Sequence, residues 1–383
     1  MYFTQQETDR RFDLLKREMV SLELDAVVLI TLGPGPTARE EFYFLQSDYI
    51  QSGLSVTIFV RDQEPVVLSY YLQSISHGKH STVKDSRPLR ETENPAAALL
   101  AVLLEKGLPR NGRVGWRWSK VPASWHLLLS AELPDVEWLD VSSTFTRIWY
   151  EKSAEEAAAG IASAALADAG YAHILKMIEP GVTEIDVVSE FENFTFRNGA
   201  NRNFTVVASG KISEGEPFPE LASPSRRVLE RGDSIMLEMT PASAGYYSQL
   251  VRVVNVGEEN PYANKLKQIA TDAINAATRL LRPGVSIGEL ARVLMTSVSD
   301  SGYKPQLPVG HTVGVDLVYD RLTPDLDRTL RVNDTIIIHP NIRTSNGEHA
   351  FFWGETYLVT ETGCRKINQA SSELQTVGIG EHA

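Results

Sequence analysis

The sequence predicts two domains, a smaller α/β domain followed by a larger α+β domain with an internal pseudo-twofold repeat. Three observations carry this prediction. At 383 residues the chain is too long for one ordinary domain and suits two. Up to about residue 150, short β-branched runs alternate with helical patterns. Beyond that point, Glu179-Pro-Gly-Val-Thr-Glu-Ile185 matches Arg282-Pro-Gly-Val-Ser-Ile-Gly288, and the two segments lead into similar patterns.

Residues 5 to 22 predict an amphipathic helix with Phe12, Leu15, Met19 and Leu22 on one face and Thr4 as its N-cap. The runs Ala26–Ile30, Ser55–Val60 and Pro65–Leu68 predict strands separated by turn residues. Pro95 to Lys106 is expected to be helical, and Arg113–Arg117 and Val136–Val141 extended. The first domain is expected to span 1–150 and the second 151–383.

A long Ala-rich helix should begin near Lys152 and stop at Pro180-Gly181, and a second should run from Pro261 to Pro283-Gly284. Each Pro-Gly leads into a further helix, ending at Asn198-Gly199 and at Ser301-Gly302. Strands Phe204–Val207 and Gln306–Val309 follow. Two helix–helix–strand units in tandem imply a pseudo-twofold domain with its site between the halves.

Composition narrows the function classes. Hydrophobic content of 43% and charged content of 22% are those of a soluble globular chain. A net charge of −12 leaves no basic excess for nucleic acid or an anionic membrane surface. The single cysteine, Cys364, excludes a disulfide framework and Cys-rich metal sites, and fits a reducing compartment. The start Met1-Tyr-Phe-Thr-Gln-Gln is polar, and no run nears the roughly 20 apolar residues of a membrane span, so a cytoplasmic location is expected. There is no phosphate-binding Gly loop and no Gly-x-Ser-x-Gly turn.

The chemistry-bearing segments are Gly232-Asp233-Ser-Ile-Met-Leu-Glu238, Gly245-Tyr-Tyr-Ser-Gln249-Leu-Val-Arg252, Gly310-His311-Thr-Val-Gly314, Ile338-His339-Pro340 and Trp353-Gly354-Glu355-Thr-Tyr-Leu-Val. In order and spacing they resemble the metal-site segments of the pita-bread hydrolases, the family of methionine aminopeptidase, aminopeptidase P, prolidase and creatinase. The resemblance implies a creatinase-type N-terminal α/β domain, a pita-bread C-terminal domain, and a homodimer in which one subunit's first domain closes its neighbour's pocket.

In that family two metal ions are held by Asp, Asp, His, Glu and Glu. Carried over by position, these fall on Glu238, Gln249, His311, His339 and Gly354, with Glu355 where the family often has Asp. The two bridging carboxylates are therefore replaced, and two cations would lack the anions that offset them. No dinuclear centre is expected. Glu238, His311 and His339 remain as ligands for one divalent ion (Fe, Mn or Zn), or as cleft side chains holding none. His349 is either a further site member or a loop residue; His77 and His80 read as solvated loop.

Creatinase keeps the fold without metal, and its segment resembles Pro241 and Ala244–Ser248 with Arg252. This chain departs from it too: Val251 stands in place of a Glu, Leu221 and Ala222 lie where its catalytic His would be, and Leu54 replaces a carboxylate-binding Arg. Three functions follow. The first is a hydrolase cleaving a C–N bond of a small carboxylate-bearing substrate, with His311 and His339 transferring protons and Glu238 orienting them. Arg252 would hold the carboxylate, or form an internal ion pair. Tyr247, Gln249, Tyr319, Trp353 and Glu355 would line the pocket. The second is a mononuclear lyase or oxygenase; the third is a catalytically silent binding protein.

Overall fold

The structure is a computed structural model that describes residues 2–32, 39–46, 53–70, 75, 79–90, 92–216, 219–343 and 350–379. The chain divides into two compact units, Met1–Glu151 and Lys152–Ala383.

The first unit opens with helix α1 (Gln5–Ser21), capped by Thr4, whose hydroxyl accepts from the Glu7 amide. Its buried face differs from the expected one, because Arg11 and Glu7 are also inside. Their ion pair measures 2.7 Å, and the Arg11 guanidinium lies against the rings of Phe3 and Tyr43, which offsets the loss of hydration. Strands β1 (Ala26–Leu32), β2 (Leu54–Val60), β3 (Val66–Tyr70), β4 (Asp85–Leu89), β5 (Arg113–Trp116) and β6 (Glu137–Asp140) form one sheet in the order β4-β3-β2-β1-β5-β6. Helices α2 (Arg39–Leu45), α3 (Pro95–Glu105), α4 (Ala123–Glu132) and α5 (Ser142–Tyr150) complete the unit. Leu54 is buried in its apolar core.

The second unit is built twice from the same plan. Helices α6 (Ala154–Ile174) and α7 (Glu184–Arg197) lead to β7 (Arg202–Gly210); α8 (Pro261–Thr278) and α9 (Ile287–Asp300) lead to β11 (Lys304–Gln306) and β12 (Gly310–Val313). Helix α6 begins at Ser153, which forms a reciprocal capping box with Glu156. The repeated Pro-Gly turns are held alike. Gly181 donates to the Leu229 carbonyl and Gly284 to the Leu330 carbonyl, both at 2.9 Å. Asp233 and Asp334 then each accept a backbone N–H three residues upstream at 2.8 Å. The second repeat's strand breaks in two at Leu307–Val309, where a single run was expected.

Strands β8 (Ser234–Ser243), β9 (Tyr246–Tyr247), β10 (Leu250–Val256) and β18 (Gln375–Val377) join β7 in one sheet, ordered β18-β10-β8-β7 with β9 on β8. Strands β13 (Thr335–Ile338), β16 (Glu355–Val359) and β17 (Cys364–Lys366) join β12 in another, ordered β12-β13-β16-β17. A third sheet has β14 (Asn341–Arg343) between β11 and β15 (Ala350–Phe351). The two larger sheets meet at Val251 and Gly354, whose backbones exchange hydrogen bonds of 2.9 and 3.2 Å. That junction places the motif segments of both halves side by side.

Candidate active site

Strand alternation decides which motif residues share a face. Glu238 lies opposite Val251, and Val251 opposite Gly354, so these three form a row on one face. Gln249, two residues before Val251, falls on that face as well. His311 lies opposite Ile337, and His339, two residues on, shares its side. The ring centroids of His311 and His339 are 5.4 Å apart, and Phe352 stacks on His339 at 5.7 Å. Gly310 makes this approach feasible: its φ is +147°, and a Cβ there would lie 2.3 Å from the Ile337 carbonyl oxygen.

Gln249 is fixed by the second sheet. Its backbone N–H donates to the Thr356 hydroxyl at 3.0 Å, and that hydroxyl donates back to the Gln249 carbonyl at 2.7 Å. Its side-chain oxygen meets His311 Nε2 at 3.2 Å. His339 Nδ1 is 3.0 Å from Asn341 Oδ1, and Asn341 donates its own amide to the Pro308 carbonyl at 2.7 Å. Burial keeps both imidazoles neutral: it lowers His311 to about 3, helped by neighbouring His339 and Arg321, and lowers His339 as well. Glu238 is only partly accessible; its carboxyl has no hydrogen bond among the described residues and is raised by burial to about 7.

Several expected roles are corrected. Glu238 does not orient either histidine; Gln249 and Asn341 do. Arg252 has no exposed surface. It donates to the carbonyls of Ser371, Val251 and Gly354, pairs with Glu355 at 2.8 Å, and stacks on Trp353 at 4.6 Å. Glu355 is consumed by Arg252, Lys366 and the Tyr357 hydroxyl, and Trp353 is core. The reason is parity: Arg252 and Glu355 are odd steps from Gln249 and Gly354, hence on the opposite face. Tyr247 packs against Ala242, Val313 and Ile337. Tyr319 is half-buried, its hydroxyl accepting from the Val315 amide at 2.8 Å. His349 and His77 lie outside the described residues, and His80 is exposed.

One cation does approach the histidines. Arg321 pairs with His311 in a backbone bridge, which puts the two side chains on one side, and it is exposed. The sequence reading missed Arg321 and Asn341. Asn341 was accessible to it, being two residues beyond His339 and so on the same side of an extended segment.

A model of metallopeptidase family M24 matches residues 159–361, more than half of the chain. The chain belongs to metallopeptidase family M24. It is 23% identical over 397 residues to the hydrolase/peptidase y4tL of Sinorhizobium fredii, covering 97% of both. It is 25% identical over 214 residues to the Xaa-Pro dipeptidase of Pyrococcus furiosus, covering 55% of this chain and 60% of that one. Among solved structures, an X-Pro aminopeptidase from Thermotoga maritima superposes with a TM-score of 0.83 at 18% identity, over 97% of this chain and 99% of its own. An Xaa-Pro dipeptidase from Bacillus anthracis gives 0.80 at 20%, over 97% and 100%. These likenesses show the creatinase/aminopeptidase fold expected from the motifs.

The family's name implies a metal, and the donor set among the described residues does not fit one. Among the described residues no three His, Cys, Asp or Glu side chains are grouped so as to hold an ion. The expected trio of Glu238, His311 and His339 is thereby corrected: the histidines meet, and Glu238 does not join them. At Gly354 there is no donor and no room for one, since a Cβ would lie 2.4 Å from the Ile338 carbonyl oxygen and 2.6 Å from the His339 Cβ.

Proposed function

We propose that this member of the family is a hydrolase that cleaves a C–N bond of a small carboxylate-bearing substrate using side chains in place of a dinuclear metal centre. The observation that carries the reading is the pairing of two neutral, buried imidazoles on a sheet joined, at Val251 and Gly354, to the one that bears Glu238, whose carboxyl has no hydrogen bond among the described residues. An imidazole kept unprotonated can take a proton from water as it attacks the carbon. A carboxyl raised to about 7 is substantially protonated at neutral pH and can deliver a proton to the departing nitrogen. Water then supplies OH to carbon and H to nitrogen, and the imidazolium returns its proton to the carboxylate through solvent. Arg321 supports the carboxylate part of the reading, as an exposed guanidinium beside His311.

The test is turnover of Xaa-Pro dipeptides and of N-acyl and N-amidino amino acids by the full chain, read as released amine, before and after chelator dialysis. Turnover should survive chelation, and should drop about 100-fold or more in Glu238→Gln and His339→Ala variants. Turnover that vanishes with chelator and returns with added Mn or Zn would overturn the proposal.

A further inference from the structure

We infer that the two site histidines have unequal duties, assigned by two amide side chains: Asn341 leaves the Nε2 lone pair of His339 open to water or substrate, whereas Gln249 fills that of His311. The inference rests on the hydrolytic reading for its catalytic meaning, and on hydrogen-bond geometry alone for the assignment.

Asn341 has a fixed orientation. Its Nδ2 lies 2.7 Å from the Pro308 carbonyl oxygen, an acceptor only, so the end facing His339 Nδ1 at 3.0 Å must be its oxygen. The oxygen accepts, so Nδ1 carries the hydrogen. A neutral ring has one hydrogen, and Nε2 therefore presents its lone pair. No hydrogen bond among the described residues reaches that nitrogen. Asn341 is thus a positioning residue, selecting the tautomer in which His339 accepts a proton.

His311 differs. Both of its nitrogens face oxygens if the Gln249 amide presents Oε1, at 3.2 Å, alongside the Thr312 carbonyl at 3.4 Å, and a neutral ring satisfies only one. The Gln249 Nε2 is meanwhile buried with no partner among the described residues. The opposite orientation of the Gln249 amide satisfies both groups. The amide then donates to His311 Nε2, and Nδ1–H donates to Thr312. With both nitrogens engaged, His311 has no lone pair for water. Its duty is to fill the site wall beside His339 and hold the segment that carries Arg321.

The experiment is long-range 1H–15N correlation NMR on the full chain with 15N-labelled histidine, at about pH 7.5. His339 and His311 are assigned by the signals lost in His339→Gln and His311→Gln. His339 is expected as the Nδ1–H tautomer with a free, pyridine-type Nε2. His311 is expected as Nδ1–H with a hydrogen-bonded Nε2, whose signal moves toward the free value in Gln249→Leu. Asn341→Leu should release His339 toward the Nε2–H form, whereas Asn341→Asp, which still accepts from Nδ1, should keep the wild-type tautomer. His339 found as Nε2–H or as imidazolium in the wild type would overturn the inference, as would a His339 signal unchanged in Asn341→Leu. If Asn341→Leu does not fold, the wild-type and Asn341→Asp spectra decide. The readout needs no substrate. Absent turnover with the expected tautomers sinks the hydrolytic reading alone; turnover with the opposite tautomers sinks this assignment alone. Where turnover is found, Asn341→Leu should lower kcat about tenfold or more with little change in KM.

Discussion

Two arginines, Arg252 and Arg321, show how far residue type underdetermines role. Each is a guanidinium near the site segments, yet one is sealed between Glu355 and Trp353 and the other is exposed beside His311. Their substitutions should therefore separate cleanly. Among the described residues, Arg252→Met leaves Glu355 with only the Lys366 cation, at 3.4 Å, to offset its charge in a buried setting. That loss should destabilise the fold by about 3 kcal/mol or more, read as a lower denaturant midpoint. Arg321→Ala removes no ion pair among the described residues, so its midpoint should stay within about 0.5 kcal/mol of wild type. It should instead weaken binding of a small carboxylate, measured by calorimetry, about tenfold. A stable Arg252→Met protein that has lost carboxylate binding would reverse the assignment.

At the scale of elements, β10 and β16 explain both what the sequence disclosed and what it hid. The motif segments were legible because Gly, Asp and His occur at fixed offsets on strands whose ends are set by turns, so order and spacing alone located the site. Roles within the strands were less legible, since a motif does not state which face a residue takes. Counting parity from Gln249 would have put Arg252 on the far face, and the same count from His339 would have found Asn341. The contact of Gly354 with His339 was not legible at all, because it depends on how β13 and β16 pair within their sheet. It makes a prediction at this scale. Gly354→Ala must push the His339 backbone, at about 1–3 kcal/mol of overpacking. Gly354→Glu, which restores the family's residue, should be worse and should not create a metal site. Calorimetric titration with Mn or Zn checks this: tight binding by Gly354→Glu would show that the glycine alone keeps metal out.

For the whole molecule, the repeat supplies a scaffold rigid enough to hold groups in protonation states they would not choose in water. Turns at Gly181 and Gly284, and Asp233 and Asp334, anchor the two halves alike, so the fold tolerates a carboxyl with no partner among the described residues and two uncharged imidazoles. The consequence is a pH dependence of stability with two opposed arms. Glu238 titrates near 4.5 in the unfolded chain and near 7 when folded, so between these values the folded state holds the extra proton. Stability then falls as pH rises through that window, by roughly 3 kcal/mol once both states are ionised. His311 acts the other way. Its folded value is about 3 against 6.5 unfolded, so on acidification below 6.5 the unfolded chain gains a proton first and stability falls. Glu238→Gln isolates the first arm, because the amide cannot ionise. Its melting temperature relative to wild type should be least favourable near about pH 4.5 and should climb toward about pH 8, a relative gain of roughly 6–10 °C for a unit of this size. A difference that stays level across this range would mean that the Glu238 carboxyl is already ionised and solvated in the fold, and the proton donor of the proposed reaction would have to be sought elsewhere.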